Sequence, residues 1–196
     1  MAEVRILIRG YARESMLGMR ASSTTTLIRD NGLNIVVDPG ANPEMLLKAL
    51  KKEKLRPKDV DIVFLTHYHP DHVLCIRLFP GKDILDGDII YRDDEEIGFS
   101  DVIPGTSIRV IPTPGHAHEH VSLLVDTRKG KVAIAGDLFW WMDNERQAVE
   151  YKSLITKKDP YVKDSKALLK SRKMILGMAD YVIPGHGKVF KVKKRR

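Results

Sequence analysis

Short apolar segments alternate with turn-forming residues along most of the chain. Runs at residues 4–8, 24–28 and 35–37 are rich in β-branched residues and are bounded by glycine, asparagine or proline, which predicts strands. The second and third runs are predicted to form a hairpin that turns at Asp30-Asn31-Gly32, because Asn-Gly tolerates positive φ. Similar short runs predict further strands at residues 60–65, 108–111, 121–125, 132–135 and 181–183.

Two segments have helical patterns. The first begins at Asn42-Pro43-Glu44, where Asn42 can cap the helix and Pro43 suits the first helical position. Its apolar residues are Met45, Leu46, Ala49 and Leu50, and its lysines at 48, 51, 52 and 54 are predicted to form a solvated face. The second covers residues 160–179, with apolar pairs close to helical period. Strands with a few helices between them predict an α/β or α+β fold.

Length and composition describe one globular domain. The chain has 196 residues, of which 43% are hydrophobic and 30% charged. It contains no apolar run long enough to span a membrane, and its N-terminus lacks a signal-peptide pattern, so we expect a cytoplasmic protein without a membrane partner. The single cysteine, Cys75, excludes an internal disulfide and is expected to be buried. Any metal must therefore be held by histidine and carboxylate side chains.

The net charge of +7 suggests a nucleic-acid partner, but the charge is unevenly placed. Six basic residues and no acidic residue lie between positions 188 and 196, which leaves a net charge of +1 for the other 187 residues. We therefore predict a nearly neutral domain over residues 1–190, followed by a basic C-terminal tail at residues 191–196. Such a tail is usually a solvated end, although it could also contact the phosphates of RNA.

The histidines carry the clearest chemical signal. His67, His69, Asp71 and His72 fall within six residues, directly after the predicted strand 60–65. Residues two apart on an extended segment point to the same side, so His67 and His69 can bind one ion together. The chain must turn at Pro70, which allows Asp71 and His72 to serve a second ion beside the first. A metal site explains this cluster better than four unrelated surface side chains do.

Three other segments place a potential ligand beside a glycine at the end of a predicted strand. They are Pro114-Gly115-His116, Gly136-Asp137 and Gly185-His186-Gly187. Glycine lets the backbone turn sharply near a crowded centre. Strand ends that converge on one place are a common way to position ligands on a rigid scaffold.

Taken in order, these residues resemble the motifs of the metallo-β-lactamase fold superfamily. Asp38, in Val37-Asp38-Pro39-Gly40, matches the first motif of that family, and the resemblance runs from about residue 23 to residue 190. Within the superfamily the chain is most similar to a small group called metallo-β-lactamase domain-containing protein 1, through Leu78-Phe79-Pro80-Gly81 and the segment at 179–187. The resemblance implies a four-layer αββα sandwich with the metal site along one edge.

The resemblance also assigns roles to the ligands. His67, His69 and His116 are expected to bind a first ion, and Asp71, His72 and His186 a second. Asp137 is expected to bridge the two ions, and Asp38 to support the metal-binding loop without touching a metal. The family chemistry implies two divalent ions, with zinc favoured over iron or manganese, that share a hydroxide as the nucleophile. Asp71 and Asp137 are then the catalytic carboxylates, and Asp71 also orients the nucleophile.

Substrate contacts are harder to predict than the ligands. Tyr68 lies between two ligands, His118 follows the Pro-Gly-His turn, and Trp140 and Trp141 follow the Asp137 motif, so all four are candidates for the pocket. His120 is interpreted as structural. Residues 11–22 join the first two predicted strands, and family analogy suggests a flap over the site, although an ordinary loop fits equally well.

Three functions remain open at this point. The neutral domain favours a metal-dependent hydrolase acting on a small ester, thioester or lactone. A phosphodiesterase or ribonuclease could use the same dinuclear site, and the basic tail would then contact RNA. A persulfide dioxygenase with a single iron ion needs fewer ligands than this chain offers. The sequence does not predict an oligomeric state.

Overall fold

The computed structural model describes residues 1–193 as two β-sheets, a separate hairpin and four helices. The strands of the first half are β1 Glu3–Ile8, β2 Tyr11–Ser15, β3 Gly18–Ser22, β4 Thr25–Asp30, β5 Leu33–Val37, β6 Ile62–Phe64, β7 Asp83–Leu85, β8 Ile89–Arg92 and β9 Glu95–Gly98. Those of the second half are β10 Arg109–Pro112, β11 Val121–Thr127, β12 Gly130–Ile134, β13 Tyr181–Ile183 and β14 Phe190–Lys191. The helices are α1 Pro43–Lys52, α2 Pro70–Val73, α3 Tyr151–Thr156 and α4 Ser165–Met178.

The two sheets pack face to face. The first has the order β1-β4-β5-β6-β7-β8-β9 and the second the order β10-β11-β12-β13-β14. Alternate residues of each sheet, such as Val37 and Phe64 in the first and Leu123 and Ile134 in the second, form a shared buried core. This is the packing expected of strands that bury both faces.

Helices cover the two outer faces. The opposite faces of β4 to β6 pack against Leu46 and Leu50 of α1, and the outer face of the second sheet packs against Leu168 and Ile175 of α4. The layers are therefore helix, sheet, sheet and helix. This confirms the predicted α+β fold and its four-layer αββα architecture.

The local signals at the first hairpin and the first helix act as predicted. Asn31 and Gly32 have φ values of 48° and 85°, and β4 and β5 pair on either side of them. Asn42 caps α1, because its side-chain oxygen accepts a hydrogen bond of 3.0 Å from the Met45 amide. The strand predictions are accurate to within a few residues at each end.

The second helix begins five residues later than predicted. Asp164 caps α4 by accepting hydrogen bonds from the amides of Lys166 and Ala167. The amides of Lys163 and Asp164 both donate to the carbonyl of Gly115, at 2.8 and 3.0 Å. The segment at residues 160–164 is thus bonded to the Pro-Gly-His116 loop and cannot also form a helical turn.

Residues 191 and 192 lie in the stretch predicted as a basic tail. Lys191 pairs with Tyr181 in the second sheet, and Val192 is buried in the core beneath α4. The remainder of the predicted tail, residues 194–196, lies outside the described residues. In the part of the chain that the structure covers, none of the helices has the length and apolar character needed to cross a bilayer.

Candidate metal centre

Four strand ends bring the predicted ligands to one edge of the sandwich. The loop after β6 carries His67, His69 and the short helix α2, which contains Asp71 and His72. The ends of β10, β12 and β13 supply His116, Asp137 and His186. The first sheet therefore contributes four of the seven side chains and the second sheet contributes three.

Glycines make the close approach of these loops sterically feasible. A Cβ atom on Gly185 would overlap the carboxylate of Asp137, and one on Gly115 would overlap the backbone of Leu168 in α4. Gly115 also has a φ of 139°, which other residues rarely adopt. Glycine is needed at these two positions because neighbouring backbone and side-chain atoms already fill the space that a Cβ atom would occupy.

His67, His69, His116 and Asp137 form the first ligand cluster, with one ligand atom from each lying within 4.8 Å of the others. His116 Nε2 lies 3.0 Å from His69 Nδ1 and 3.4 Å from Asp137 Oδ2. His67 Nε2 lies 3.9 Å from the same carboxylate oxygen. Three imidazole nitrogens and one carboxylate oxygen thus converge in a four-donor set of the kind that zinc accepts.

Asp71, His72 and His186 form the second cluster. His186 Nε2 is 3.0 Å from Asp71 Oδ2, and His72 Nε2 is 3.9 Å from that oxygen. His72 and His186 also lie 3.3 and 3.6 Å from Asp137 Oδ1. The two oxygens of Asp137 therefore face different clusters, Oδ2 the first and Oδ1 the second.

Buried polar atoms without a partner show that these residues suit a cation. Among the described residues, eight buried side-chain atoms lack a hydrogen-bond partner, and three of them belong to the ligands: His67 Nε2, His72 Nε2 and Asp137 Oδ1. Leaving such groups unsatisfied is costly. Each of these three ligand atoms points into one of the two clusters, so a divalent ion in each cluster would satisfy them.

The protonation states of the first cluster favour metal binding. Burial, together with His72, lowers the pKa of His67 well below its ordinary value, and burial also lowers the pKa of His69. Burial would raise the pKa of Asp137, but His72 and His186 outweigh it and hold that pKa well below the usual range. Neutral imidazoles and an ionised carboxylate are the forms that bind metal.

In the second cluster the neighbouring carboxylates favour the protonated form of both imidazoles. Burial opposes protonation of His72, but Asp137 and Asp38 outweigh it and raise its pKa well above the ordinary value. The pKa of His186 is also raised, because Asp137 and Asp71 overcome the effect of burial. A divalent ion would replace these protons, so its binding is expected to release them.

Asp38 supports the first metal-binding loop, as the resemblance implies. Its Oδ1 accepts a hydrogen bond of 2.8 Å from the Thr66 amide, and its Oδ2 accepts one of 2.8 Å from the Thr66 hydroxyl. The same Oδ2 lies 2.9 Å from His72 Nδ1. The carboxylate orients His72, with Nε2 directed into the second cluster.

Asp159 has the same role for His116, and it was not predicted as a site residue. Its Oδ2 lies 2.7 Å from His116 Nδ1, and both side chains are fully buried. Burial opposes its charge, but His116 outweighs burial and lowers the pKa of Asp159. Asp159 stands directly before Pro160 in the sequence, and nothing in its spacing indicates which histidine it contacts.

His120 lies behind the centre and is structural. Its Nδ1 is 2.9 Å from the Thr113 hydroxyl, and its ring lies 5.0 Å from that of His67, centroid to centroid. Burial and the neighbouring His116 lower its pKa to about 3, so the ring is neutral. Cys75 is buried as predicted, and burial raises the pKa of its thiol.

A cavity of about 410 Å³ opens onto the two clusters. Apart from the ligands, its lining side chains are apolar or aromatic, and none of the described lining residues is lysine or arginine: Ala12, Met19, Ala21, Ala41, Pro70, Leu74, Trp140 and Tyr161. The segment at residues 11–22, for which a flap and an ordinary loop were both open, forms the β2–β3 hairpin and contributes one wall of the cavity. Met16 and Leu17 at its tip are fully exposed.

Only one of the four predicted pocket residues lines this cavity. Trp140 does so, whereas Trp141 is buried in the outer core with its ring 6.0 Å from that of Phe190. Tyr68 points to the surface, where its hydroxyl is bonded to Asp86, and His118 is exposed outside the cavity. Side chains in these loops alternate in direction, so proximity to a ligand in sequence does not place a residue in the pocket. Tyr161 lines the cavity and was not predicted.

The comparisons with known proteins agree with this architecture. A family model described as "Metallo-beta-lactamase superfamily" matches residues 19–85 and 80–186. The chain is 34% identical over 202 residues to metallo-beta-lactamase domain-containing protein 1 of Xenopus laevis, covering 97% of this chain and 82% of that protein. It is 28% identical over 192 residues to a probable metallo-hydrolase of Methanocaldococcus jannaschii, covering 85% and 86%.

Solved structures share the fold at lower sequence identity. A putative metallo-beta-lactamase from Thermotoga maritima superposes with a TM-score of 0.72 at 21% identity, covering 97% of this chain and 99% of that one. The dizinc lactonase AidC gives a TM-score of 0.66 at 14% identity, covering 90% and 77%. TTHA1623 in a di-iron-bound form gives 0.63 at 21% identity, covering 94% and 95%. The chain belongs to the metallo-β-lactamase superfamily and is a metallo-hydrolase homologue with a His/Asp metal-binding cluster.

Proposed function

We propose that the protein is a dinuclear zinc hydrolase acting on a small ester, thioester or lactone. The observation that carries this proposal is the position of Asp137, whose two oxygens face two separate ligand clusters. A carboxylate in that position can bridge two ions. Seven ligand side chains also exceed what one ion needs, which disfavours the alternative of a dioxygenase with a single iron ion.

When bound, the two ions would supply Lewis acidity and a water molecule whose pKa is lowered toward about 7. The protein's own side chains hold the ligands in position and orient the attacking water. Asp137 keeps the two sites together, and Asp38 and Asp159 hold His72 and His116 in position. Asp71 lines the cavity, where its carboxylate can orient the attacking water and pass a proton toward the leaving group.

The cavity lining supports an acyl substrate. Trp140, Met19 and Leu74 offer apolar surface beside the ligands, and the described lining contains no cationic side chain to bind a phosphate. A phosphodiester would have only the metal ions to balance its charge in this cavity. The similarity to AidC, a dizinc lactonase described with an N-acyl homoserine product, also supports the proposal. The choice of zinc rests on the donor set, which iron and manganese also accept.

The test compares three substrate classes with protein of known metal content. Zinc-loaded protein is assayed with an acyl homoserine lactone, an S-acyl thioester and bis-p-nitrophenyl phosphate, and bound metal is measured by mass spectrometry. We expect close to two ions per chain and turnover of the lactone or the thioester. His116→Ala should lose this turnover, while Tyr68→Phe, which alters a surface side chain between two ligands, should keep it. Phosphodiester cleavage alone, or binding of a single iron ion, would refute the proposal.

A further inference from the structure

A second concavity, of about 700 Å³, lies on the other side of the β2–β3 hairpin. The hairpin walls both spaces because its side chains alternate in direction. Ala12 and Ala21, which are opposite each other in the register, face the metal cavity. The next opposed pair, Arg13 and Arg20, faces the second concavity.

The charge of this second space is strongly positive. Arg9, Arg13 and Arg20 line it together with Lys48 and Lys52, which lie one turn apart on α1. Both lysines were predicted to lie on a solvated face, and both are exposed, on the wall of the concavity. The other lysines of that run, Lys51 and Lys54, do not line it.

These cations are poorly neutralised by the protein. The single acidic side chain in the described lining is Asp143, which accepts a hydrogen bond from the Ala12 amide and lies 3.9 Å from Arg13. Within residues 1–193, Arg9, Arg20, Lys48 and Lys52 form no ion pair.

The opposed arginines add an independent argument. Like charges directly opposite each other across two strands are destabilising. Arg13 and Arg20 form such a pair on the face that lines the concavity. An anion bound between them would turn this repulsion into two attractive contacts.

We propose that this concavity, defined by Arg9, Arg13, Arg20, Lys48 and Lys52 and called here the cationic groove, binds a small phosphorylated anion. Its volume lies in the range of about 300–1,000 Å³ that is typical of small-molecule sites. Arginine binds phosphate oxygens in pairs, and the two lysines add compact charges on the facing wall. A bounded concavity fits an oligophosphate better than the long backbone of a nucleic acid.

The test is calorimetric titration of the metal-loaded protein with inorganic tripolyphosphate. Lys48→Gln with Lys52→Gln should weaken binding about tenfold or more, because two charge-assisted contacts are lost. Lys51→Gln with Lys54→Gln removes the same charge from the same region and should change the affinity less than about twofold. His116→Ala should retain binding, which would show that the anion is not held by the metal centre.

Arg20→Gln provides a second test, which measures the melting temperature with and without tripolyphosphate. Without ligand it should raise the melting temperature by removing the Arg13–Arg20 repulsion, and it should reduce the rise in melting temperature that tripolyphosphate causes. Equal losses in the two lysine double variants would overturn the proposal, because they indicate diffuse attraction rather than a site. Loss of binding in His116→Ala would also overturn it. A third result would also overturn the proposal. It is that the protein fails to bind tripolyphosphate but binds single-stranded RNA, and that the Lys48 and Lys52 substitutions weaken the binding of RNA.

Discussion

The hydrogen bond between Asp159 and His116 gives the sharpest test of the centre. Asp159 Oδ2 lies 2.7 Å from His116 Nδ1, and both side chains are inaccessible to solvent. Asp159→Asn keeps the size of the side chain and an oxygen acceptor but removes the charge that makes the imidazole a stronger ligand. A hydrogen bond to a charged group contributes about 1.5–3 kcal/mol and a neutral one about 0.5–1.5 kcal/mol. The expected loss is therefore about 1–1.5 kcal/mol, or about tenfold in affinity for the ion held by His116.

The affinity is measured by competition with a chromophoric chelator, one ion at a time. In Asp159→Asn the ion in the His67, His69 and His116 cluster should be released about tenfold more readily, while the other ion changes little. Asp38→Asn should show the reverse selectivity, because Asp38 contacts His72 of the second cluster. The control is Asp126→Asn, which breaks an exposed ion pair with Lys131 and should affect neither ion. An unchanged affinity in Asp159→Asn, with the fold intact, would refute the argument that this carboxylate tunes His116.

Four further outcomes are expected. Removal of metal by a chelator should lower the melting temperature by about 8–16 °C for each ion that had been present near 1,000 times its Kd, since each bound ion then adds about 4 kcal/mol. An unchanged temperature would mean that the ions do not bind the folded state preferentially. Gly185→Ala should yield protein with little bound metal, because the new methyl group overlaps Asp137; full metal content would contradict the packing described above. Trp140→Ala should raise KM for a short acyl substrate more than it lowers kcat, and equal effects on both would place the indole in the chemistry instead. Arg172→Met should lower the free energy of unfolding, measured in urea, by about 2–3 kcal/mol, because Arg172 donates hydrogen bonds to the carbonyls of Leu138 and Lys157 at 2.9 and 2.6 Å. A loss near zero would show that these bonds contribute nothing to stability.

The parts of the fold that the sequence predicts are those governed by local chemistry. Asn31-Gly32 sets the turn of one hairpin and Asn42-Pro43 starts α1, because each requirement is met by neighbouring residues. The strands β7 to β9 were missed, since they are short and carry polar residues such as Glu95 and Glu96 near the edge of the sheet. Leu85 and Ile90 are buried in the core between the sheets, but too few apolar residues stand together in these segments to predict strands.

In the metal centre too, the residues that could be predicted are those with a local sequence signal. The ligands could be identified because their motifs lie beside glycines at strand ends, whereas Asp159 acts on His116 across 43 residues and depends on the path of the loop before α4. Arg172 lies in the apolar face of α4, where the helical pattern alone gives no reason to expect a buried cation. Tyr68 and Trp141 were placed by adjacency in sequence, and adjacency does not determine the direction of a side chain.

The division of the ligands between the two sheets has a consequence for how the protein assembles. His67, His69, Asp71 and His72 come from the first sheet, and His116, Asp137 and His186 from the second. Bound ions would therefore act as reversible crosslinks between the two halves of the sandwich, comparable to a disulfide that joins distant parts of a chain. A chain cut in the loop between β9 and β10 should yield two fragments that associate more tightly when metal is present. The metal content of the surroundings would then affect how tightly the two halves hold together, in addition to the shared core, as well as whether the protein is active.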